Sequence, residues 1–281
     1  MHLKKLFLLG DIGYFTTNLH LMVNQINQIS KPNEPLVILG DNFYPSGINS
    51  ANDEQLKTFH DTFKDTKSPI YSILGNHDYL QNPEMQINND NWIMKDWYYK
   101  EEYDNVDLYF MDTTQFAIHD WVPLEKIEKV HNVDYQTLIG DQLEWLNTEM
   151  AKNKNKKKIV FGHYPIITNG RYIQKMKPLY DYLIYTFKRN NVSLFISGHE
   201  HNIQYIKRDY ENDYTFNQIV VGSSSDVRFW EENYLLSEGK PNDMFDNSDN
   251  YFAELIVHDK FVVLKFYNAY KQLKYQYKIK Y

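Results

Sequence analysis

The sequence contains no cysteine in its 281 residues. That excludes a disulfide framework, a zinc–thiolate site, an iron–sulfur cluster and a cysteine nucleophile. It leaves the compartment open, because a disulfide-free chain folds anywhere. An excess of positive charge is also missing, since the formal net charge is -7. A general nucleic-acid binder carries a basic balance, so no nucleic-acid partner is expected. No apolar stretch approaches the ~20 residues that a membrane-spanning helix needs. At the start, MHLKKLFLLGDIG has its apolar run only from Leu6 to Leu9. A signal-peptide core takes ~7–15 apolar residues, so the run reads as a first strand. The expected location is cytoplasmic or otherwise intracellular, unless a native leader was removed. Internal repeats and Pro/Gly/Ser-rich linkers are absent, which favours one domain over residues 1–281.

What is present is ordinary for a globular protein: 42% hydrophobic and 24% charged residues. That is ample for a large buried core and argues against disorder of the whole chain. Tyrosine is abundant, at 24 residues, which reads as compositional bias rather than function. The one charge run, Lys152 to Lys158, sits between a helical pattern and an apolar strand. It reads first as a solvated helix end with cations at its C-terminus. A site for a phosphate-rich partner is the alternative.

Glycine is scarce, at 11 residues, so its placement carries information. Short apolar runs stop at Gly10, Gly40, Gly75, Gly162, Gly198 and Gly222. Such runs read as buried strands entering tight turns. Helical patterns lie between them. Thr17 or Asn18 is expected to cap a helix through Ile29, and further helices are expected over 52–63, 141–150 and 177–187. After residue 200, consecutive strands are expected over 203–208, 216–221, 251–257, 261–267 and 275–279. Alternating strands and helices followed by strand-rich additions predict an α/β domain.

The residues after these glycines are of metal-ligating types. Asp11 follows Gly10. Asp41 follows Gly40, with Tyr44 three residues on. Asn76, His77 and Asp78 follow Gly75. His163 follows Gly162, and His199 follows Gly198 with His201 two later. Active sites of α/β sheets gather at the carboxyl ends of strands, so residues far apart in sequence converge there. Mixed oxygen and nitrogen donors without sulfur point to Fe, Mn or Zn rather than Cu(I). Asp11, Asp41, Tyr44, Asn76, His163, His199 and His201 are too many for one four-coordinate ion. They suit two ions if one carboxylate bridges, an arrangement that serves phosphoryl transfer. Each motif alone is weak; the ordered set is the evidence.

The order GD, GDNFY, GNHD, GH and GHEH resembles the calcineurin-like metallophosphoesterases. Asp11-Ile12-Gly13 lacks the histidine that many members carry at the first motif, and Tyr44 stands in its place. That exchange marks the purple acid phosphatases. DNFYPSG at 41–47, GNHDY at 75–79, QLEWL at 142–146, GHYPI at 162–166, GHEHNIQY at 198–205 and VVGSSS at 220–225 resemble their small, tartrate-resistant type.

The resemblance implies a sandwich of two mixed β-sheets flanked by helices. It implies one metal held by Asp11, Asp41, Tyr44 and His201. The other is held by Asp41, Asn76, His163 and His199. The pair would be Fe(III) with Fe(II), Zn or Mn. The implied reaction is hydrolysis of a phosphomonoester, in a small molecule or a phosphoprotein, by attack of metal-bound hydroxide. His77 is implied as a phosphate contact and general acid, with Asp78 hydrogen-bonded to its imidazole or serving as a turn residue. Glu200 stands where members often carry Asp and is implied as an acid or proton relay. Arg171 follows GHYP, where members often carry a histidine, and is a candidate phosphate contact. The segments 113–137 and 223–250, with His119, Trp121, His131, Arg228, Phe229, Trp230 and Glu231, are expected near the substrate or packed on the core. The alternatives are an Mn or Zn phosphodiesterase, a nucleotide or phosphoprotein phosphatase, and an inert binding relative.

Overall fold

A computed structural model describes residues 1–117, 122–228 and 243–280. His119, Trp121, Phe229, Trp230 and Glu231 lie outside the described residues. The chain runs β1 (Lys5–Leu9), α1 (Thr17–Ile29), β2 (Leu36–Ile38), α2 (Glu54–Phe63) and β3 (Ile70–Ser72). It continues through β4 (Tyr99–Glu102), β5 (Val106–Phe110), α3 (Leu124–His131), α4 (Tyr135–Lys152), β6 (Lys157–Phe161), α5 (Lys177–Arg189) and β7 (Leu194–Ser197). It ends in β8 (Ile203–Asp209), β9 (Thr215–Val221), β10 (Met244–Asp246), β11 (Tyr251–Val257), β12 (Phe261–Asn268) and β13 (Leu273–Lys280).

The strands form two mixed sheets. The six-stranded sheet has the order β13-β12-β11-β1-β2-β3 and the seven-stranded sheet β10-β8-β9-β7-β6-β5-β4. β1, β2 and β3 pair in parallel, as do β5, β6, β7 and β9. The late strands are therefore divided between the sheets: β8 and β9 extend one, β11 to β13 extend the other.

Side-chain alternation along the strands builds the layers. Leu108, Phe110, Ile159, Phe161, Leu194 and Ile196 face the first sheet in the main core. Their neighbours Tyr109, Val160 and Phe195 face outward and are covered by Leu146 of α4 and Leu179, Leu183 and Phe187 of α5. Two sheets packed face to face with helices outside are the expected sandwich. No helix among the described residues is long and apolar enough to cross a membrane.

The helix starts follow their caps. Thr16, one residue before the expected cap, accepts from the Leu19 amide at 3.3 Å. Asp53 accepts from the Gln55 amide at 3.1 Å, so α2 begins at Glu54. Asp134 accepts from the Thr137 amide at 3.1 Å, which starts α4 six residues before the expected Asp141. α3 falls inside the segment 113–137, where no helix was expected.

Of the Lys152–Lys158 run, Lys156 pairs with Asp107 at 2.6 Å. Lys158 is buried, and its Nζ caps the carbonyls of Lys154 and Lys156 at 3.2 and 3.0 Å. The run thus ties down the turn between α4 and β6, and its Lys156 and Lys158 are paired or buried rather than solvated as the first reading expects.

The sheets meet where the candidate residues lie. The Gly10 amide, just past β1, donates to Ser224 Oγ at 3.1 Å, and the Ser224 amide donates back to the Gly10 carbonyl at 3.2 Å. The Gly198 amide, past β7, donates to the His163 carbonyl at 3.0 Å.

Candidate metal centre

Backbone strain marks the strand ends. Asp11, Asp41, His199 and His201 have φ of 57°, 52°, 71° and 51°. A non-glycine residue rarely enters this left-handed region, and each such residue costs free energy that the surrounding structure must offset. Four of the seven candidate ligands are held so. The turn folds each side chain back over the strand end. Two glycines make room for them. A Cβ on Gly198 would stand 2.6 Å from Asp11 Oδ2, and one on Gly75 would overlap the Asp41 carboxylate and amide.

All seven candidate ligands are buried. They divide into two sets that share Asp41. In the first, the Tyr44 hydroxyl lies 2.9 Å from Asp41 Oδ2, 3.2 Å from Asp11 Oδ1 and 3.1 Å from His201 Nε2. In the second, Asn76 Oδ1 lies 3.1 Å from both His163 Nε2 and His199 Nδ1. His163 Nε2 is 3.4 Å from Asp41 Oδ1. Ligand atoms of Asp11, Asp41 and His163 all lie within 4.8 Å of one another.

The remaining atoms of these side chains fix their orientation. His163 Nδ1 meets the Leu39 carbonyl at 2.8 Å, which places its proton there and leaves the Nε2 lone pair facing the centre. His201 Nδ1 meets Asp226 Oδ2 at 3.0 Å, which does the same for that ring. Asp11 Oδ2 accepts from the His199 amide at 2.8 Å. The His199 ring lies between those of Tyr164 and Tyr172, with centroids at 4.1 and 4.5 Å.

The electrostatics of this arrangement call for cations. Burial and the neighbouring Asp41 carboxylate push Asp11 well above the usual carboxylate range. Burial, then Asp41 and Asp11, push the Tyr44 hydroxyl up as well. Burial also opposes charge on Asp41, but His163 and His77 outweigh it and hold Asp41 low. Three acidic groups gathered in a buried site are unfavourable together. Metal ions among them would reverse that balance, and the oxygen and imidazole donors suit Fe, Mn or Zn. The residues therefore fit a metal centre.

His77 borders the centre. Its amide donates to Asp41 Oδ1 at 2.9 Å, and its Nε2 lies 4.0 Å from Asp41 Oδ2. Its ring stands edge-on to Tyr44 at 4.6 Å.

Asp78 does not hold the His77 ring. Its carboxylate accepts from the amides of Asn42 and Gly75 and from Gln86 Nε2, at 3.1, 2.8 and 2.9 Å. Those bonds tie the Asp41 turn to the Asn76 turn, as the turn-residue reading expects. Burial and then Asp41 raise this carboxyl to about 7.

Glu200 also serves a loop. It accepts from Thr168 Oγ1 at 2.6 Å and from the amides of Arg171 and Tyr172 at 3.1 and 3.3 Å. Left-handed turns at His199 and His201 flank it. Arg171 is exposed, with its guanidinium 5.8 Å from the Tyr172 ring centre. Two groups at the centre carried no sequence role: Asp226 was not singled out, and Arg228 was noted only as part of a connecting segment. The sequence SSSDVR after β9 has no spacing that signals them.

A model of the calcineurin-like phosphoesterase family matches residues 4–202. Purple acid phosphatase 3 of Arabidopsis thaliana is 30% identical over 190 residues, covering 61% of this chain and 49% of that protein. Tartrate-resistant acid phosphatase type 5 of Homo sapiens is 28% identical over 193 residues, covering 61% and 56%. The chain thus spans about half the length of these curated relatives. Among solved structures, a purple acid phosphatase from yellow lupin seeds superposes with a TM-score of 0.68 at 14% identity, over 99% of this chain and 53% of that one. GAP50, the anchor in the inner membrane complex of Plasmodium, superposes at 0.77 with 23% identity, over 99% and 88%. These two likenesses establish the fold. With its family motifs on one edge of a two-sheet sandwich, this chain belongs to the calcineurin-like phosphoesterases and resembles the purple and tartrate-resistant acid phosphatases among them.

Proposed function

We propose that this protein is a dinuclear-metal phosphomonoesterase of the purple acid phosphatase kind. The observation that carries the reading is the pair of buried donor sets meeting at Asp41. Asp11, Asp41, Tyr44 and His201 would hold one ion. Asp41, Asn76, His163 and His199 would hold the other. The phenolic oxygen of Tyr44 favours Fe(III) in the first set, with Fe(II), Zn or Mn in the second. When bound, the ions would supply Lewis acidity to phosphoryl oxygens and acidify a water.

The chain's own residues do the rest. Asp226 and the Leu39 carbonyl orient His201 and His163 so that their Nε2 lone pairs face the centre. Asp78 braces the two turns that deliver Asp41 and Asn76. His77, with Nδ1 bound to a carbonyl, presents Nε2 for a substrate oxygen and for proton transfer to the departing alcohol. Glu200 holds the loop that brings Tyr172 over His199.

The test is hydrolysis by the metal-loaded protein of 4-nitrophenyl phosphate beside bis(4-nitrophenyl) phosphate. A monoester kcat/KM above the diester value supports the reading. A diester preference replaces it with a phosphodiesterase. No hydrolysis of either, with metals bound, favours the inert relative.

A further inference from the structure

We propose that Arg228 is a phosphate-binding group of this site, holding the dianionic phosphoryl oxygens of the substrate with its guanidinium. The inference rests on the phosphomonoesterase reading above and names a residue that reading does not use.

Arg228 is tied to both histidine arms of the centre. Its backbone amide donates to the His201 carbonyl at 3.3 Å. Its Nε lies 3.7 Å from Asp226 Oδ2, the oxygen that orients His201. Its Nη1 donates to the Tyr172 hydroxyl at 3.2 Å, and the Tyr172 ring packs, tilted by 41°, against His199 with centroids at 4.5 Å. Its own carbonyl accepts from Asn247 Nδ2 at 3.2 Å, which pins the backbone. The guanidinium is therefore fixed between the ring over one donor set and the carboxylate behind the other.

It is also placed to receive an anion. The residue is half-buried, so a charge on it is screened less than on an exposed arginine. Among the described residues the side chain makes one hydrogen bond, to Tyr172. A guanidinium carries five N–H donors in a rigid fork, a geometry that matches two phosphate oxygens at once. Asp226 pairs with it at 3.7 Å, longer than a hydrogen bond, through the oxygen that also serves His201. Arg171, the arginine that the sequence pointed to, is exposed and lies across the Tyr172 ring. With two metal ions bound beside it, a fixed cation here would favour the doubly charged phosphate of a monoester over the singly charged diester.

A strap that only joined Tyr172 to Asp226 would have the same contacts, so the test must read the anion. Inorganic phosphate is titrated into metal-loaded wild type, Arg228→Met and Tyr172→Phe by calorimetry, with metals per chain measured in each. Losing a charged hydrogen-bonding group weakens binding by roughly 10–100-fold. Arg228→Met is expected to weaken phosphate by about that factor, with metal content unchanged. Tyr172→Phe, which frees the guanidinium without removing it, is expected to weaken phosphate by a few-fold. The same loss should appear in KM for the monoester more than in KM for a diester. Unchanged phosphate affinity in Arg228→Met overturns the proposal, as does a loss that follows metal content alone. If wild type hydrolyses no phosphomonoester yet binds phosphate through Arg228, the function reading fails while this assignment stands. If loaded wild type binds no phosphate, the assignment fails too.

Discussion

His77 Nδ1 lies 2.6 Å from the carbonyl oxygen of Pro45. A carbonyl only accepts, so Nδ1 carries a proton and Nε2 is the working nitrogen. Leaving-group protonation from Nε2 is worth roughly 10²–10⁴-fold when the leaving group is a poor one. His77→Asn is expected to lower kcat by about that factor on alkyl phosphates. Its effect on 4-nitrophenyl phosphate should be smaller, because nitrophenolate leaves without a proton. Metal content should be unchanged. Equal losses on both substrates would reduce His77 to a binding group.

Glu200 separates a structural role from a chemical one. Its carboxylate takes three donors from the loop 168–172, all in a buried setting. Glu200→Ala leaves those donors without a partner, at a cost of about 1–3 kcal/mol each. Urea denaturation should show a loss of at least about 3 kcal/mol, with KM raised as Tyr172 loosens. A collapse of kcat at unchanged stability would restore the proton-relay role.

The segment 113–137 gives a stability prediction. His131 Nε2 lies 2.8 Å from the oxygen of the Tyr79 hydroxyl, whose proton goes to Asp112, and its ring packs on Trp97 at 4.1 Å. Burial lowers His131 from 6.5 to about 4. Between those values the unfolded chain binds a proton that the folded chain refuses, so this group removes stability as pH falls. Burial raises the adjacent Asp112 to about 7, and its proton uptake acts in the opposite direction over the same range. His131→Gln deletes only the first effect. The Tm of the variant, relative to wild type, should therefore rise from pH 7 to pH 5. A constant difference would show that His131 titrates alike in both states.

The sequence made the clustering of the seven candidate donors legible because two signals coincide at each site: an apolar run stopped by glycine, and a donor residue next. The glycines are required where Asp11 and Asp41 approach Gly198 and Gly75. The strand pattern after residue 200 was equally legible, down to β11 over Tyr251–Val257. Three kinds of feature were not. The resemblance implied Asp78 as holding His77 or as a turn residue, and the structure gives the second: Asp78 opens a short 3-10 turn and its carboxylate faces the Asn42 and Gly75 amides. Glu200 sits between two ligands in sequence, yet the left-handed turns at His199 and His201 send it to the loop. Asp226 and Arg228 reach the centre only because the end of β9 is tied to β1 through Ser224 and Gly10. That is a contact across 214 residues, and no local spacing encodes it.

The central claim is that the two donor sets sharing Asp41 hold two metal ions. The most direct test is elemental analysis of freshly purified wild type beside Asp41→Asn. The account predicts about two metals per chain, iron among them, in wild type and fewer than one in the variant. Wild type that holds no metal after reconstitution with Fe, Zn or Mn, or Asp41→Asn that retains both ions, would contradict it.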